Sequence, residues 1–390
     1  MTVSKTAPDY SQRIARVRAA LPAHGLAALL VTHPPNLRYL AGFDGSLGAL
    51  YVSASACVLL VDGRYVTAVR DRVAAEESLS GLRVELVEAS QEEAIARVIV
   101  RDAPAAGVGV EGAALTLLRF QRLSQTLDRV ARESGGPIVV SELRSTERVV
   151  EAFRMIKDAS EVATLREAAA KLSAVARDIL PGAILPGRTE RDVAADIDDA
   201  MRRAGFERPA FETIVASGPN SALPHARPGS RVLEAGDGVV LDFGGVYDGY
   251  CVDLTRTVQL SPGDSRFQAL FDAVQTARAA AIAAVRPGVR ASDVDKAARD
   301  VLASRGLGDV FVHGTGHGLG LEIHEAPRIG KTGTAESDEP LAAGMVFTVE
   351  PGAYVPGLGG VRIEDDVLVT SDGCEVLTDV PIERMGQNGA

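Results

Sequence analysis

Cysteine, basic charge and long apolar runs are all scarce in this chain of 390 residues, and each shortage excludes a class of protein. The net charge is −11 at pH 7 and there is no dense run of Lys or Arg, so no basic surface would attract a nucleic-acid backbone. The longest apolar runs, such as LAALLV at 26–31, fall far short of the roughly 20 residues of a membrane span. We therefore expect neither nucleic acid nor a membrane as a partner. The start, MTVSKTAPDYSQR, lacks a signal-peptide pattern, so we expect a cytoplasmic protein.

The three cysteines, Cys57, Cys251 and Cys374, are odd in number and widely spaced. This arrangement supports neither a disulfide framework nor a metal knuckle of the CxxC type. We expect all three to be small buried hydrophobic residues.

Histidine is scarce as well, and half of the supply lies in one stretch. The segment HGTGHGLGLEIHEAP at 313–327 contains three of the six histidines. His313 and His317 have the i, i+4 spacing of a helical HExxH zinc site, but each glycine of GxGxGxG costs about 1 kcal/mol in a helix relative to Ala. A dinucleotide-binding GxGxxG pattern is also absent from this segment. We therefore expect a glycine-rich loop that aims His317 at a small ligand.

The pattern of apolar runs and helical stretches predicts two domains, residues 1–150 and 151–390. Up to about residue 148, short apolar runs such as GLAALLVT, ACVLLVDG and PIVVSE alternate with helical patterns, which is typical of an α/β domain. A long helical pattern then begins at residue 159, and strand-like segments with turns follow it. The second domain is therefore predicted to belong to the α+β class.

The second domain also contains an internal repeat. The segment LPGRTERDVAADIDDAMRRAGF at 185–206 aligns with RPGVRASDVDKAARDVLASRGL at 286–307, with Pro-Gly and Asp-Val at the same offset of 101. Further on, LEAGDGVVLDFG at 233–244 aligns with LAAGMVFTVEPG at 341–352. Several ordered matches of this kind indicate two half-domains related by a pseudo-two-fold axis.

Acidic residues occupy equivalent positions in the two halves. The second pair of segments aligns Asp242 with Glu350, and alignment of CVDLTRT with VRIEDDV pairs Asp253 with Glu364. An ionised carboxylate in an apolar strand such as GVVLDFG costs several kcal/mol unless a positive group compensates it. Each half is therefore expected to hold two acids that need a cationic partner.

A predicted hairpin brings the first two acids together. Asp248-Gly249 is a strong signal for a two-residue β-hairpin turn. That register sets Asp242 opposite Thr255 and leaves Asp253 diagonal to Asp242 on the same face. Two carboxylates are therefore expected on one side of one hairpin.

Four carboxylates would converge if the pseudo-two-fold axis relates the halves. Their mutual repulsion would raise their pKa values or require bound cations, and a pair of metal ions is the simplest solution. The alternative is that Arg256, Arg362 or other basic groups pair with these acids and no metal binds.

The ordered motifs LDFGGVYDGYCVDLTRT, HGTGHGLGLEIHEAP, FTVEPGAY and GVRIEDD resemble those of the proline peptidases, aminopeptidase P and prolidase. These enzymes belong to the pita-bread superfamily, which also holds methionine aminopeptidase and creatinase. The resemblance covers about residues 155–385 and implies a pita-bread fold for the C-terminal domain. In the first domain, NLRYLAGFDGSLGALYV and LLVDGRY resemble the N-terminal domain of aminopeptidase P, which methionine aminopeptidase lacks. Creatinase shares the two-domain plan but does not use the metal ligands.

The resemblance implies a dinuclear metal site in which Asp253 and Glu364 bridge the two divalent ions. Four oxygen donors and one imidazole suit Mn²⁺ best among the common candidates, with Co²⁺ or Zn²⁺ as substitutes. The five implied ligands are Asp242, Asp253, His317, Glu350 and Glu364.

The resemblance also implies the roles of other side chains. Glu350 would accept a proton from the attacking water, and His324 would hydrogen-bond the developing oxyanion. His225, in SGPNSALPHARPG, would contact the scissile amide or the proline. The matching positions that support the pocket are His313, Arg362 and Tyr354.

The implied activity is removal of the first residue from Xaa-Pro peptides by a homodimeric enzyme. A close alternative is a prolidase restricted to Xaa-Pro dipeptides, which needs a basic group for the free carboxylate of its substrate. Arg328 could be that group, although we expect a solvated surface residue. Two further alternatives are a binding protein that keeps the pita-bread shape without catalysis, and metal-free C–N hydrolysis of a creatine-like molecule.

Overall fold

The structure is a computed structural model that describes residues 7–104, 106–134, 142–261, 264–331 and 338–382. These residues form two compact units, Ala7–Arg154 and a unit that begins at Met155. Within the described ranges, no helix is both long enough and apolar enough to cross a bilayer.

The first unit is an α/β domain, as predicted. Its strands form one mixed sheet of six in the spatial order β4-β3-β2-β1-β5-β6. The strands are β1 Leu26–Val31, β2 Gly48–Ser53, β3 Cys57–Val61, β4 Arg83–Leu86, β5 Gly107–Glu111 and β6 Leu143–Thr146. The helices are α1 Tyr10–Ala20, α2 Pro34–Ala41, α3 Val66–Ala75, α4 Gln91–Asp102, α5 Leu117–Glu133 and α6 Glu151–Arg154.

The central strands of this sheet are apolar throughout because helices or loops cover both of their faces. Every residue of β2 and β3 is buried, and Leu30 of β1 packs in one core with Ile99 of α4 and Leu127 of α5. The run PIVVSE at 137–142, predicted as a strand, lies outside the described residues except for Glu142.

Two cysteines behave as predicted and one does not. Cys57 and Cys251 are buried, but Cys374 is only half-buried. Its position explains the difference, since it opens β17 (Cys374–Val376), the edge strand of a sheet in the second unit.

The second unit repeats one order of elements, two helices followed by a long hairpin. In the first half these are α7 Ala159–Ala183, α8 Glu190–Arg203, β7 Arg208–Pro209, β8 Ile214–Ser217, β9 Gly238–Tyr247 and β10 Tyr250–Gln259. In the second half they are α9 Ser265–Ala284, α10 Ala291–Ser304, β11 Gly316–Gly318, β12 Glu325–Ile329, β13 Val346–Val349, β14 Gly352–Val355, β15 Gly359–Arg362 and β16 Asp365–Val369. The predicted repeat is therefore present in the fold, and the offset of 101 relates both ends of α8 to both ends of α10.

The hairpin of the first half has the predicted register. Asp248 and Gly249 both have positive φ angles, 47° and 73°, as a two-residue turn of this kind requires. Asp242 consequently pairs with Thr255, and Asp253 pairs with Gly244. In the second half each long strand is broken in two, at 350–351 and at 363–364.

The glycine-rich segment around His317 was predicted as a loop, which is wrong for residues 316–318 and 325–327 but correct for residues 313–315 and 319–324. Gly316–Gly318 form β11, which pairs with β12 on one side and β13 on the other. A Cβ atom on Gly316 would lie 1.8 Å from the carbonyl oxygen of Thr348, and one on Gly318 would lie 2.2 Å from that of Ala326. The glycines therefore let three strands approach closely rather than making the segment a loop.

Candidate metal centre

The four predicted acids lie on the two hairpins. Asp242 is in β9 and Asp253 in β10, whereas Glu350 and Glu364 occupy the two breaks of the second hairpin. The strand pairs β13–β16 and β14–β15, on either side of the breaks, share the same register. Glu350 therefore lies opposite Glu364. Each hairpin thus presents two carboxylates on one face.

Three of the five predicted ligands come together closely. Asp253, His317 and Glu364 each offer a ligand atom, and these atoms lie within 4.8 Å of one another. Nε2 of His317 is 4.0 Å from Oδ2 of Asp253 and 3.4 Å from Oε1 of Glu350. The fifth predicted ligand, Asp242, has one carboxylate oxygen paired with Arg362.

Burial and mutual repulsion dominate the electrostatics of this acidic cluster. Desolvation raises the pKa of Asp253 well above its usual value, and the carboxylates of Glu364 and Asp242 add to the rise. Desolvation likewise raises the pKa of Glu364, with contributions from Glu350 and Asp242. The pKa of Glu350 rises to about 7, mainly through burial and against the opposing charge of Arg362. The cluster therefore needs positive charge if all four acids are to be ionised at neutral pH.

Two carboxylate oxygens of the cluster are buried without a hydrogen-bond partner among the described residues, Oδ1 of Asp242 and Oε1 of Glu364. The other oxygen of Glu364 accepts a hydrogen bond of 2.5 Å from the hydroxyl of Thr255. Leaving a buried carboxylate oxygen unpaired is unfavourable, and a cation would satisfy both atoms. The residues present therefore fit a bound divalent metal.

His317 is held in the form that binds a metal. Its Nδ1 lies 3.1 Å from the carbonyl oxygen of Gly318, so Nδ1 carries the proton and donates it. Burial lowers the pKa of His317 to about 4, and the neighbouring His324 contributes to the shift. The neutral ring therefore presents the lone pair of Nε2 to the carboxylates, which is the usual arrangement of a metal-binding histidine.

The three predicted supporting residues form one hydrogen-bonded chain that ends at Asp242. The His313 ring donates from Nδ1 to the Gly314 carbonyl, so its Nε2 accepts from the Tyr354 hydroxyl at 2.9 Å. The Arg362 guanidinium donates to that hydroxyl at 2.7 Å and also to Asp242. Burial raises the pKa of Tyr354 to about 12 and lowers that of His313 to about 4. At neutral pH Tyr354 therefore keeps its proton and His313 stays neutral, as this series of hydrogen bonds requires.

The two arginines of the metal-free alternative have different partners. Arg362 does pair with Asp242, as that alternative predicts. Arg256 instead pairs with Asp365 and donates to the carbonyl oxygen of Glu364. Three of the four acids thus have no arginine partner in the described ion pairs.

His324, His225 and Arg328 lie at the exposed side of the cluster. The His324 ring packs edge-on against His317, with ring centroids 4.3 Å apart. Partial desolvation and the charge of Arg328 lower the pKa of His324, and His225 is close enough to contribute. Arg328 is exposed, as expected, but its position in β12 is directly opposite His317 in β11, which places both on one face of the sheet.

Several polar residues that support the site were not anticipated from the sequence. Thr255 donates to Glu364, and Thr348 accepts from the backbone N–H of His317 at 3.1 Å while donating to Glu350 at 3.3 Å. Asp366 accepts the backbone N–H of Asp253 at 3.1 Å. Thr255 could have been found, because the predicted hairpin register already places it opposite Asp242; the contacts of Thr348 and Asp366 depend on strand pairings that the sequence pattern does not specify.

Comparison with known families accounts for nearly the whole chain. The sequence-family model for metallopeptidase family M24 matches residues 163–371. The sequence-family model for the creatinase/prolidase N-terminal domain matches residues 13–156.

Similar proteins include a probable dipeptidase and an Xaa-Pro dipeptidase. The probable dipeptidase PepE of Mycobacterium tuberculosis is 38% identical over 381 residues, which cover 96% of each chain. The Xaa-Pro dipeptidase of Pyrococcus furiosus is 33% identical over 372 residues, covering 94% of this chain and 97% of the relative.

Solved structures show the same similarity. The Xaa-Pro dipeptidase from Bacillus anthracis superposes with a TM-score of 0.88 at 34% identity, covering 96% of this chain and 99% of that one. The X-Pro aminopeptidase from Thermotoga maritima superposes with a TM-score of 0.80 at 31% identity, covering 92% and 96%.

Proposed function

The chain belongs to metallopeptidase family M24, in the proline-peptidase branch with the pita-bread fold, and from this premise we propose that it hydrolyses the Xaa-Pro bond at the N-terminus of peptides. Membership makes the protein a metallopeptidase that depends on a divalent metal, which sets aside the interpretation as a non-catalytic binding protein. The observation that carries the proposal is the buried cluster of Asp253, His317 and Glu364, together with the unpartnered carboxylate oxygens beside it.

Five side chains would hold two divalent ions, for which four oxygen donors and one imidazole favour Mn²⁺, with Co²⁺ or Zn²⁺ as substitutes. When bound, such ions lower the pKa of a bound water and polarise the scissile carbonyl. The proposed ligands are Asp242, Asp253, His317, Glu350 and Glu364.

Glu350 is the proposed proton acceptor among these ligands. Its side chain is 18% exposed, whereas those of Asp253 and Glu364 are buried. Water can therefore reach Glu350, and the Thr348 hydroxyl donates a hydrogen bond to its Oε1. A carboxylate held beside the attacking water is suited to general-base catalysis.

His324 and His225 are proposed to contact the substrate. Both are exposed and lie near one another at the accessible side of the cluster. The neutral His324 ring would donate an N–H to the developing oxyanion, and its packing against His317 holds it next to the reacting carbonyl. His225 would contact the leaving amine or the proline ring.

The chain of His313, Tyr354 and Arg362 is proposed to hold Asp242 in place. Arg362 neutralises one oxygen of Asp242 and leaves the other free for a metal. The position of Arg362 is fixed in turn by Tyr354 and His313.

Specificity for proline follows from the chemistry of the substrate. An Xaa-Pro bond is a tertiary amide without an N–H, and the ring restricts the neighbouring torsions. A site that requires no backbone hydrogen bond from that nitrogen can therefore accept proline, and a shallow pocket that holds the ring would make proline preferred. We expect the Mn²⁺-loaded protein to cleave Ala-Pro and Ala-Pro-Pro at least about 100-fold faster than Ala-Ala. Equal rates on Ala-Ala, measured by disappearance of each peptide, would exclude the proposed specificity.

A prolidase restricted to dipeptides is the second candidate, and the position of Arg328 favours it. Because Arg328 lies opposite His317 and close to His324, its guanidinium can meet the free carboxylate of a dipeptide.

Substitution of Arg328 distinguishes the two candidates. In a prolidase, Arg328→Met should raise KM for Ala-Pro by about tenfold or more and leave Ala-Pro-Pro a poor substrate. In an aminopeptidase, the same change should affect both peptides equally and Ala-Pro-Pro should be cleaved well. The exposed Arg202→Met on α8 serves as the control and should change neither KM.

A further inference from the structure

Two segments of the second unit each carry one of the histidines that the proposed function uses. The His225 loop comprises residues 217–229, and the His313 segment comprises residues 311–315, which end two residues before His317. Each of them is fastened to a helix by one fully buried acid that lies outside the metal cluster.

Glu190, the first residue of α8, closes the His225 loop. Its side chain has no exposed surface. Oε1 accepts hydrogen bonds from the backbone N–H and hydroxyl of Ser217, both at 2.8 Å, and from the Asn220 amide at 3.0 Å. Oε2 accepts the backbone N–H of Gly229 at 3.1 Å. One carboxylate thus joins the beginning of the loop to its end, with His225 between them.

The loop and the helix hold each other reciprocally. The backbone N–H groups of Glu190 and Arg191 donate to the carbonyl oxygens of Arg231 and Gly229, at 3.0 and 3.1 Å. These donors belong to the first turn of α8 and have no partner within the helix. The Glu190 side chain is therefore held in one place by the same residues that it fastens.

The closed loop also touches the proposed catalytic machinery. The carbonyl oxygen of Pro224, directly before His225, accepts a hydrogen bond from Arg362 at 3.2 Å. The hydroxyl of Ser221 accepts the backbone N–H of Gly360 at 2.8 Å. A shift of the loop would therefore move His225 relative to the metal cluster.

Asp295 of α10 makes similar contacts in the other half. It is 1% exposed, and its Oδ1 accepts from the backbone N–H and hydroxyl of Thr315 at 3.0 and 2.9 Å. Its Oδ2 pairs with Arg299, which donates to the carbonyl oxygens of Phe311 and His313. The carbonyl oxygen of Thr315 accepts the backbone N–H of Glu350 at 2.7 Å, so the segment continues into the cluster.

We propose that Glu190 and Asp295 are positioning residues, one in each repeat half, that hold the His225 loop and the His313 segment in the geometry of the reaction. The offset of 101 maps Glu190 onto residue 291, one helical turn before Asp295 on the same face of α10. The expected change in kcat/KM rests on the proposed function, whereas the expected changes in hydrogen exchange and Mn²⁺ binding do not. Glu190 acts through His225, and Asp295 acts through His317 and the metal cluster.

The test compares Glu190→Gln and Asp295→Asn in the Mn²⁺-loaded protein. Glutamine keeps one acceptor oxygen but cannot accept at both ends of the loop, so hydrogen exchange of a peptide covering 217–229 should accelerate. The kcat/KM for Ala-Pro should fall about tenfold, and this factor should shrink below about twofold in a His225→Ala background. Asp295→Asn should instead weaken Mn²⁺ binding, measured by competition with a chromogenic chelator, by about tenfold or more.

Matched controls are available at equivalent positions of the two helices. Asp199→Asn and Asp300→Asn, related by the same offset of 101, remove exposed acids from α8 and α10 and should change none of these quantities. If an acid variant fails to fold, Ser217→Ala and Thr315→Val each remove one donor and should give the same shifts in smaller size.

Three results would overturn the proposal. They are unchanged exchange of the 217–229 peptide in the Glu190 and Ser217 variants, an equal kinetic factor with and without His225, and unchanged Mn²⁺ affinity in the Asp295 and Thr315 variants. A wild-type protein that cleaves no Xaa-Pro peptide would refute the proposed function, while the exchange and Mn²⁺ measurements would still decide the positioning roles.

Discussion

Glu364 shows most directly why this site needs a metal. Its side chain is 2% exposed, one oxygen has only the Thr255 hydroxyl as a partner, and the other oxygen has none among the described residues. Asp253 is buried beside it, and the charge of Glu364 raises the pKa of Asp253 on top of the effect of burial. Burial also raises the pKa of Glu364, with contributions from Glu350 and Asp242. Oδ1 of Asp253 accepts the backbone N–H of Leu254 at 2.8 Å, and no Arg or Lys pairs with either acid among the described ion pairs.

Removal of either carboxylate should therefore abolish turnover. We expect Asp253→Ala and Glu364→Ala each to lower kcat/KM for Ala-Pro by more than about 100-fold. The same variants should remain folded without metal, because each removes a source of repulsion. Steady-state kinetics with thermal melting of the same samples checks both statements, and a near-normal rate in either variant would show that the site is elsewhere.

Whether a site residue can be predicted from the sequence depends on how far along the chain its partners lie. Asp242 and Asp253 could be related to each other because a two-residue turn joins their strands, and Glu350 and Glu364 followed from the repeat. Glu190 and Asp295 could not be recognised, since their partners lie up to 39 residues away and a buried acid on a helix looks in sequence like any solvated one.

At the scale of elements, β11 is the strand that brings the histidine to the acids. Its neighbours β12 and β13 approach so closely that no side chain larger than hydrogen fits at Gly316 or Gly318. The alternation GxGxGxG has the period of two that a strand requires. The loop was predicted because the glycines disfavour a helix, and a strand was not considered. Glycine is also depleted in strands, but here the absence of side chains allows the close contact with both neighbouring strands.

Substitution of Gly316 tests this explanation of the glycines. An alanine Cβ would meet the backbone of Thr348 rather than a side chain that can move, so Gly316→Ala should displace β11 and with it His317. We expect destabilisation by about 1–3 kcal/mol and loss of Mn²⁺ affinity. Gly63 lies outside the helices and strands, and no atom beyond its two chain neighbours lies within 4 Å of a new Cβ there, so Gly63→Ala is the control for thermal melting and metal binding. Wild-type behaviour of Gly316→Ala would contradict the close packing of these strands.

At the scale of the whole molecule, the uncompensated acids predict how stability depends on pH. Glu350 has a pKa of about 7 in the folded, metal-free protein and about 4.5 when unfolded. A raised carboxyl pKa contributes stability below the unfolded value and loses it as the pH rises through the folded value. Metal-free protein should therefore lose stability between about pH 5 and pH 7 relative to the Mn²⁺-loaded protein.

Thermal melting at a series of pH values measures this difference. The gap in Tm between the loaded and metal-free forms should widen by about 5 °C or more from pH 5 to pH 7. In Glu350→Gln, which cannot ionise, the gap should depend less on pH. A gap that stays constant in the wild-type protein would contradict the electrostatic account of the cluster.

The domain boundary at residue 150, the homodimer and the cytoplasmic location stay predictions. Limited proteolysis would locate a boundary, and light scattering would determine the oligomeric state. The repeat within the second unit, by contrast, was visible in the sequence because both copies kept their helix starts and their acids.

Activity as a function of bound metal is the measurement that tests the central claim most directly. The protein is freed of metal with a chelator, Mn²⁺ is added back in known equivalents, and hydrolysis of Ala-Pro and Ala-Pro-Pro is measured alongside the bound metal content. The account predicts that chelation removes activity on every Xaa-Pro peptide and that activity returns to a plateau at two bound Mn²⁺ per chain. Full hydrolysis by protein that holds no metal would contradict it.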